Sequence, residues 1–206
     1  VSLGLPTHSD ISSEDPNIVS KGEAMLNEAL QLSSEIGATH MCGILYSGFT
    51  KYMKPKTEKG MQNAAEVLYR IGEKAKKQNI QIGLEVVNRY ETNLLNTGSE
   101  GVAMLNRIGS SNVNVHLDSY HMHIEESGLG NAIRDCGPNL GYFHVGESHR
   151  GYLGSGNIDF KEVFRALAEI NYSGPITFES FSSAVVSPEL SNILGIWRNL
   201  WEDSED

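Results

Sequence analysis

Four apolar segments of this chain each end on a side chain that binds divalent metals. In Ile80-Gln-Ile-Gly-Leu-Glu-Val-Val-Asn-Arg-Tyr-Glu91, Ile80, Ile82, Leu84 and Val86 alternate as in a buried strand, yet Glu85 lies inside the run and Glu91 follows it. A carboxylate buried in an apolar strand is strongly destabilising unless it is paired, protonated or metal-bound. Val113-Asn-Val-His-Leu-Asp118 ends on an acid, Leu140-Gly-Tyr-Phe-His144 on an imidazole and Pro175-Ile-Thr-Phe-Glu179 on an acid. The steps from Glu85 to Asp118, His144 and Glu179 are 33, 26 and 35 residues, each about one βα unit. Four strands delivering Glu, Asp, His and Glu at their C-terminal ends predict a divalent metal site at the mouth of a parallel barrel.

The remaining pattern agrees. Strands are predicted at 1–5, 40–46, from 80, 113–118, 140–146 and 176–181. Helices are predicted at 17–36, 57–78, from the Asn96-Thr-Gly-Ser cap to 108, 129–134, 160–170 and 188–201. Six strands and six helices in strict alternation make an α/β protein with a parallel sheet and helical crossovers. A closed (β/α)8 barrel has eight units and typically about 250 residues. Six units in 206 residues are therefore expected to form one domain, 1–206, of a TIM barrel lacking its first two βα units. Val1 opening inside a strand fits that expectation, which leaves the first and sixth strands as open edges prone to self-association. A doubly wound sheet binds at one switch point and suits four donor strands poorly.

The net charge is −10 with scattered basic residues. That disfavours a nucleic-acid partner, which needs a basic face. No segment reads as a signal peptide or a membrane span. Cys42 and Cys136 have neither metal nor disulfide spacing, so two reduced cysteines in a cytoplasmic protein are expected.

Three stretches carry a resemblance over nearly the whole chain. Gly83-Leu-Glu-Val-Val-Asn-Arg-Tyr-Glu91 with Leu95-Asn-Thr97, Val115-His-Leu-Asp-Ser-Tyr-His-Met-His-Ile-Glu-Glu126, and Gly141-Tyr-Phe-His-Val-Gly-Glu147 resemble the D-tagatose, D-psicose and L-ribulose 3-epimerases of the xylose-isomerase-like barrels. The resemblance implies a manganese or cobalt ion held by Glu85, Asp118, His144 and Glu179. It implies that Glu91, His121 and Arg150 hold the C1–C2 end of a ketose, and that the protein is a dimer or tetramer. This chain departs from the family pattern at Ser180, where Pro is usual, at His123, where Asn is common, and at Phe49, where relatives often carry Trp. Phe49 bears on substrate preference; the other two leave the metal ligands untouched.

The chemistry asks for these residue types. Epimerisation at C3 removes a proton alpha to a carbonyl and returns one to the other face, which needs an electrophile at O2 and O3 and two opposed carboxylates, Glu85 and Glu179. Asp118 and His144 are then plain ligands, Glu147 could orient His144, and Phe181 and Phe49 could pack against the sugar. Each residue also has a structural reading: Glu85 paired with Arg89, Asp118 capping the next turn, His144 a satisfied core histidine, and Glu91, His121 and Arg150 solvated loop residues. His116, His123 and His149 read as structural or surface residues. The competing functions are another sugar isomerase or dehydratase on the same barrel, an endonuclease-like phosphodiesterase, and an inactive barrel that only binds metal or a partner.

Overall fold

The computed structural model describes residues 1–202; the acidic end 203–206, part of a tail expected to fray, lies outside the described residues. The elements run β1 (Ser2–Leu5), α1 (Pro16–Glu35), β2 (His40–Gly48), α2 (Glu58–Lys77), β3 (Gln81–Glu85), α3 (Gly98–Ile108), β4 (Val113–Asp118), α4 (Ser119–Glu125), α5 (Leu129–Cys136), β5 (Leu140–Val145), α6 (Phe160–Glu169), β6 (Ile176–Phe178) and α7 (Pro188–Leu194). The strands form one parallel sheet in the order β1-β2-β3-β4-β5-β6, curled as part of a barrel, with β1 and β6 at its edges.

Helix starts follow local chemistry. Asp15 caps α1 ahead of Pro16, and Thr57 caps α2. Thr97 and Glu100 form a reciprocal capping box on α3 that satisfies two of the helix's free N–H groups. Alternation along the strands separates two faces. Ile82, Leu84, Val113, Val115, Leu117 and Phe143 are buried against the helices. At Gly72 of α2 and Gly101 of α3 a methyl group would lie 2.8 and 3.1 Å from Val113 and Val115, so both helices sit directly on these residues. The intervening residues on the other face include Glu85, His116 and Asp118, in register Glu85 with His116 and Asp118 with His144. Thus the apolar half of each strand makes the core, and the polar half lines the concave side.

Three boundaries differ from expectation. Among the described residues there are seven α-helices, not six. The added one, α4, begins because Asp118 accepts the Tyr120 N–H and caps it; at seven residues it is too short to show a periodic apolar face. The last helix stops at Gly195, whose φ of +67° is a left-handed C-cap, instead of reaching Trp201. Strand β6 ends at Phe178, though the Glu179 N–H still donates to Val145 O at 3.0 Å. No helix among the described residues is long and apolar enough to cross a membrane.

Cys42 and Cys136 are free and buried, and burial pushes each thiol up to about 12. Both are expected to resist a thiol reagent at pH 8 in the folded chain and to react on unfolding, read by absorbance. Gly43, with a φ of +115°, faces Leu3 across β1–β2, and a Cβ there would lie 2.1 Å from Leu3 O. Gly43→Ala should cost about 2–3 kcal/mol in a urea unfolding curve, because both the backbone angle and the strand approach resist it.

Candidate metal and active site

Glu85 ends β3, Asp118 ends β4, His144 lies one residue before the end of β5, and Glu179 follows β6. The barrel geometry brings these four ends together, and one donor atom from each lies within 4.8 Å of the others. His144 Nδ1 is 3.4 Å from Glu85 Oε1, 3.4 Å from Glu179 Oε2 and 3.7 Å from Asp118 Oδ2. Ligands bonded at about 2.1 Å to one ion stand about 3.0–3.4 Å apart in octahedral or tetrahedral geometry, so the cluster fits one divalent ion after small shifts. Among the described residues, His144 Nδ1 and Glu179 Oε2 are buried without a hydrogen-bond partner, as donors reserved for an ion would be.

The electrostatics follow from crowding acids and bases in a dry site. Burial raises the Glu85 carboxyl, and the neighbouring Glu179 and Asp118 charges add to that against the opposing pull of His144. Burial also pushes Asp118 up, but Arg150 and His144 outweigh it and hold this carboxyl well below its usual range. His144 loses hydration on burial, yet the carboxylates of Asp118, Glu179 and Glu85 raise it to about 12.

The expected substrate-holding residues gather beside the cluster. Arg150 Nη1 donates to Asp118 Oδ2 at 2.7 Å and lies 2.8 Å from Glu179 Oε2, without hydrogen-bond alignment to the latter. Its guanidinium sits 4.1 Å from the Tyr120 ring centroid and 5.4 Å from that of Phe181. The Asn88 N–H donates to His121 Nδ1 at 3.2 Å, and Arg150 Nη2 lies 3.3 Å from His121 Nε2, so donors face both ring nitrogens. Burial pushes His121 down to about 3 and Glu91 up to about 7. Glu85, Glu91, His121, Arg150, Glu179, Phe181 and Phe49 all line one cavity of about 650 Å³; Asp118 and His144 lie behind it.

Some alternatives fall away and one coexists. Arg89 pairs with Glu125 at 2.7 Å, not with Glu85. Asp118 does cap the next helix, through Oδ1, while Oδ2 faces Arg150 and the cluster. Glu147 does not orient His144. Fully buried, it accepts backbone N–H bonds from Ser148, Gly154, Asn157 and Ile158 at 2.7, 2.9, 3.1 and 3.3 Å, and so folds the glycine-rich loop over itself. That loop holds Arg150 at a φ of +61°. Ser180, on the next strand end, donates to Arg150 O and accepts the Trp201 indole N–H at 2.7 Å, tying the C-terminal segment to the same loop.

His116, read as structural or surface, is fully buried, which excludes the surface alternative, and its Nδ1 lies 3.9 Å from Glu85 Oε2 beside the cluster. Its position two residues before Asp118 on one strand was the available signal, since i and i+2 share a face.

Fold and donor cluster define a parallel-barrel protein with a group of candidate metal donors at the strand ends. Residues 1–199 match the family described as xylose isomerase-like TIM barrel. Over all of its length the chain is 52% identical to a ketose 3-epimerase of Arthrobacter globiformis, of which it spans 71%. It is 49% identical to an L-ribulose 3-epimerase of Methylomonas sp. (strain DH-1), again over all of its length and 72% of the relative. It superposes with a TM-score of 0.96 and 49% identity on the crystal structure of a Methylomonas sp. D-allulose 3-epimerase in complex with D-allulose, covering 100% of this chain and 71% of that one. This chain belongs to the ketose 3-epimerases of the xylose isomerase-like TIM barrel family.

Removing the Glu147 carboxylate takes an acceptor from four N–H groups, of which Asn157 keeps Ser148 Oγ at 3.2 Å. Glu147→Ala is expected to speed hydrogen exchange at Gly154, Asn157 and Ile158 by about tenfold or more, with the strand amides of β3 and β4 unchanged, since each lost bond contributes about 1 kcal/mol or more.

Proposed function

We propose that this chain epimerises free ketoses at C3, with Glu85 and Glu179 acting on opposite faces of the sugar. The observation that carries the reading is the division within the cluster: Glu85 and Glu179 reach the cavity, whereas Asp118 and His144 do not. Glu85, Asp118, His144 and Glu179 would hold the ion: three carboxylates and one imidazole suit a hard-to-borderline divalent metal, and the family resemblance implies manganese or cobalt. When bound, the ion supplies Lewis acidity at the sugar's O2 and O3.

The side chains then divide the work. One of the two glutamates, ionised, takes the C3 proton as the C3–H electron pair moves toward C2 and the C2 carbonyl becomes an enediolate oxygen. The other, protonated, delivers its proton to C3 from the opposite face as the carbonyl re-forms. Atoms and charge balance, and each turnover exchanges the protonation states of the pair. Arg150 and His121 hold O1 and O2, and Glu91 accepts from a sugar hydroxyl. Phe181 packs against the sugar's C–H face. The names of the relatives support ketopentoses and ketohexoses as substrates. A homo-oligomer in the cytoplasm is part of the proposal, as the family resemblance implies.

Incubation with manganese and a panel of ketoses in D2O should give C3 deuteration with formation of the epimer, followed by NMR. Glu85→Gln and Glu179→Gln should each lower the rate by about 100-fold or more, because each removes one proton carrier. A second reading, a barrel that binds metal without turnover, draws on the edge strand β1 bordering the cavity at Ser2, Leu3 and Gly4; metal binding with no exchange on any ketose would select it. Chelation followed by dialysis should abolish exchange, and added manganese or cobalt should restore it, measured in the same assay.

A further inference from the structure

His116 has no place in the reading above, yet it is the most constrained imidazole in the chain. It is fully buried, and among the described residues neither of its ring nitrogens has a protein hydrogen-bond partner. A buried polar group left unsatisfied is costly and rare in native structures. The groups around it narrow what can satisfy it. The rings of His144 and Tyr142 stand edge-to-face with it at 4.2 and 4.9 Å between centroids. The Glu85 carboxylate faces it, with Oε2 at 3.9 Å from Nδ1, too far for a hydrogen bond. Glu85 is thus flanked by two imidazoles: Oε1 turns to His144 and Oε2 to His116. Donor atoms of Glu85, His116 and His144 all lie within 4.8 Å of one another, which makes a second metal-compatible group beneath the four-donor cluster.

We infer that the site has two overlapping ion positions: the outer one at Glu85, Asp118, His144 and Glu179, and an inner one at Glu85, His116 and His144. This rests on the outer position being a metal site, because the two share Glu85 and His144. Their donor chemistry differs. The outer set is rich in carboxylate, accepts hard ions and has two members lining the cavity. The inner set holds two imidazoles and one carboxylate, a combination that favours copper, zinc and nickel over magnesium or manganese. Neither His116 nor His144 lines the cavity, so an inner ion sits behind the substrate space. Register explains how such a pair arises. Glu85 and His116 are lateral partners on β3 and β4, and Asp118 and His144 are partners one layer further toward the strand ends. Two successive layers of the concave face therefore both carry ligands. His116 acts as a selectivity element: it draws borderline ions inward and leaves the outer position to harder ones.

The test counts imidazoles. The wild-type chain, stripped of metal and loaded with half an equivalent of copper(II), is examined by pulsed EPR, which resolves the remote nitrogen of each bound imidazole. Two imidazoles are expected, reduced to one in His116→Phe and still two in His121→Gln. By calorimetry, His116→Phe should weaken zinc binding by about tenfold or more and change magnesium binding by less than about twofold, since an N-donor is lost. A single imidazole in the wild type, abolished in His144→Gln, would overturn the inner position and leave the outer reading standing. No imidazole at all would remove both. Two imidazoles with one lost in His121→Gln would assign the second nitrogen to the cavity wall and overturn the inference. If His116→Phe does not fold, wild type and His121→Gln still decide the matter.

Discussion

The structure depends on the gathering of buried Glu85, Asp118 and His144 and half-buried Glu179 around one point. Separately, each group would lose its hydration with nothing to replace it. Together they replace it for one another: three carboxylates raise His144, while Arg150 and His144 hold Asp118 ionised. Like charge is concentrated here, so the cluster needs cations, and the chain supplies one in Arg150 and the geometry of the donors admits another in a metal. A buried network of this kind contributes little to stability and marks a candidate functional site.

Arg150 is the point at which loop structure and site chemistry meet. A guanidinium placed between Asp118 and Glu179 has to be held against the entropy of a long side chain on a glycine-rich loop. Glu147 holds the loop from one side through four backbone N–H groups, and Ser180 holds it from the other through Arg150 O. Tyr120 covers one side of the guanidinium. Acceptors outside the cavity thus position a donor inside it.

The legibility of this arrangement was uneven for physical reasons. Glu85, Asp118, His144 and Glu179 stood out because a charged or polar residue ending an apolar strand contradicts its own surroundings. The strand order followed from strict alternation, since parallel neighbours require crossovers. Helix α4 escaped notice because one capping contact, not a periodic face, creates it. The early stop of α7 turned on a left-handed Gly195 that reads equally well as a helix interior or an end. Glu147 resembled an ordinary exposed acid until the loop closed on it, and its four partners, three of them seven to eleven residues downstream, follow no motif.

The amino-acid sequence by itself determined the parallel α/β architecture, the residue types at four strand ends and the family to which they belong. Period-two and period-3.6 hydrophobicity are local properties, and so is the placement of an acid at the end of an apolar run. Tertiary structure alone decided which of those ends share a centre, that Asp118 and His144 stand behind Glu85 and Glu179, and that His116 lies under them in contact with the cluster. Those distances are set by strand register and sheet curvature, which come from packing between segments far apart in the chain and leave no trace in any one of them.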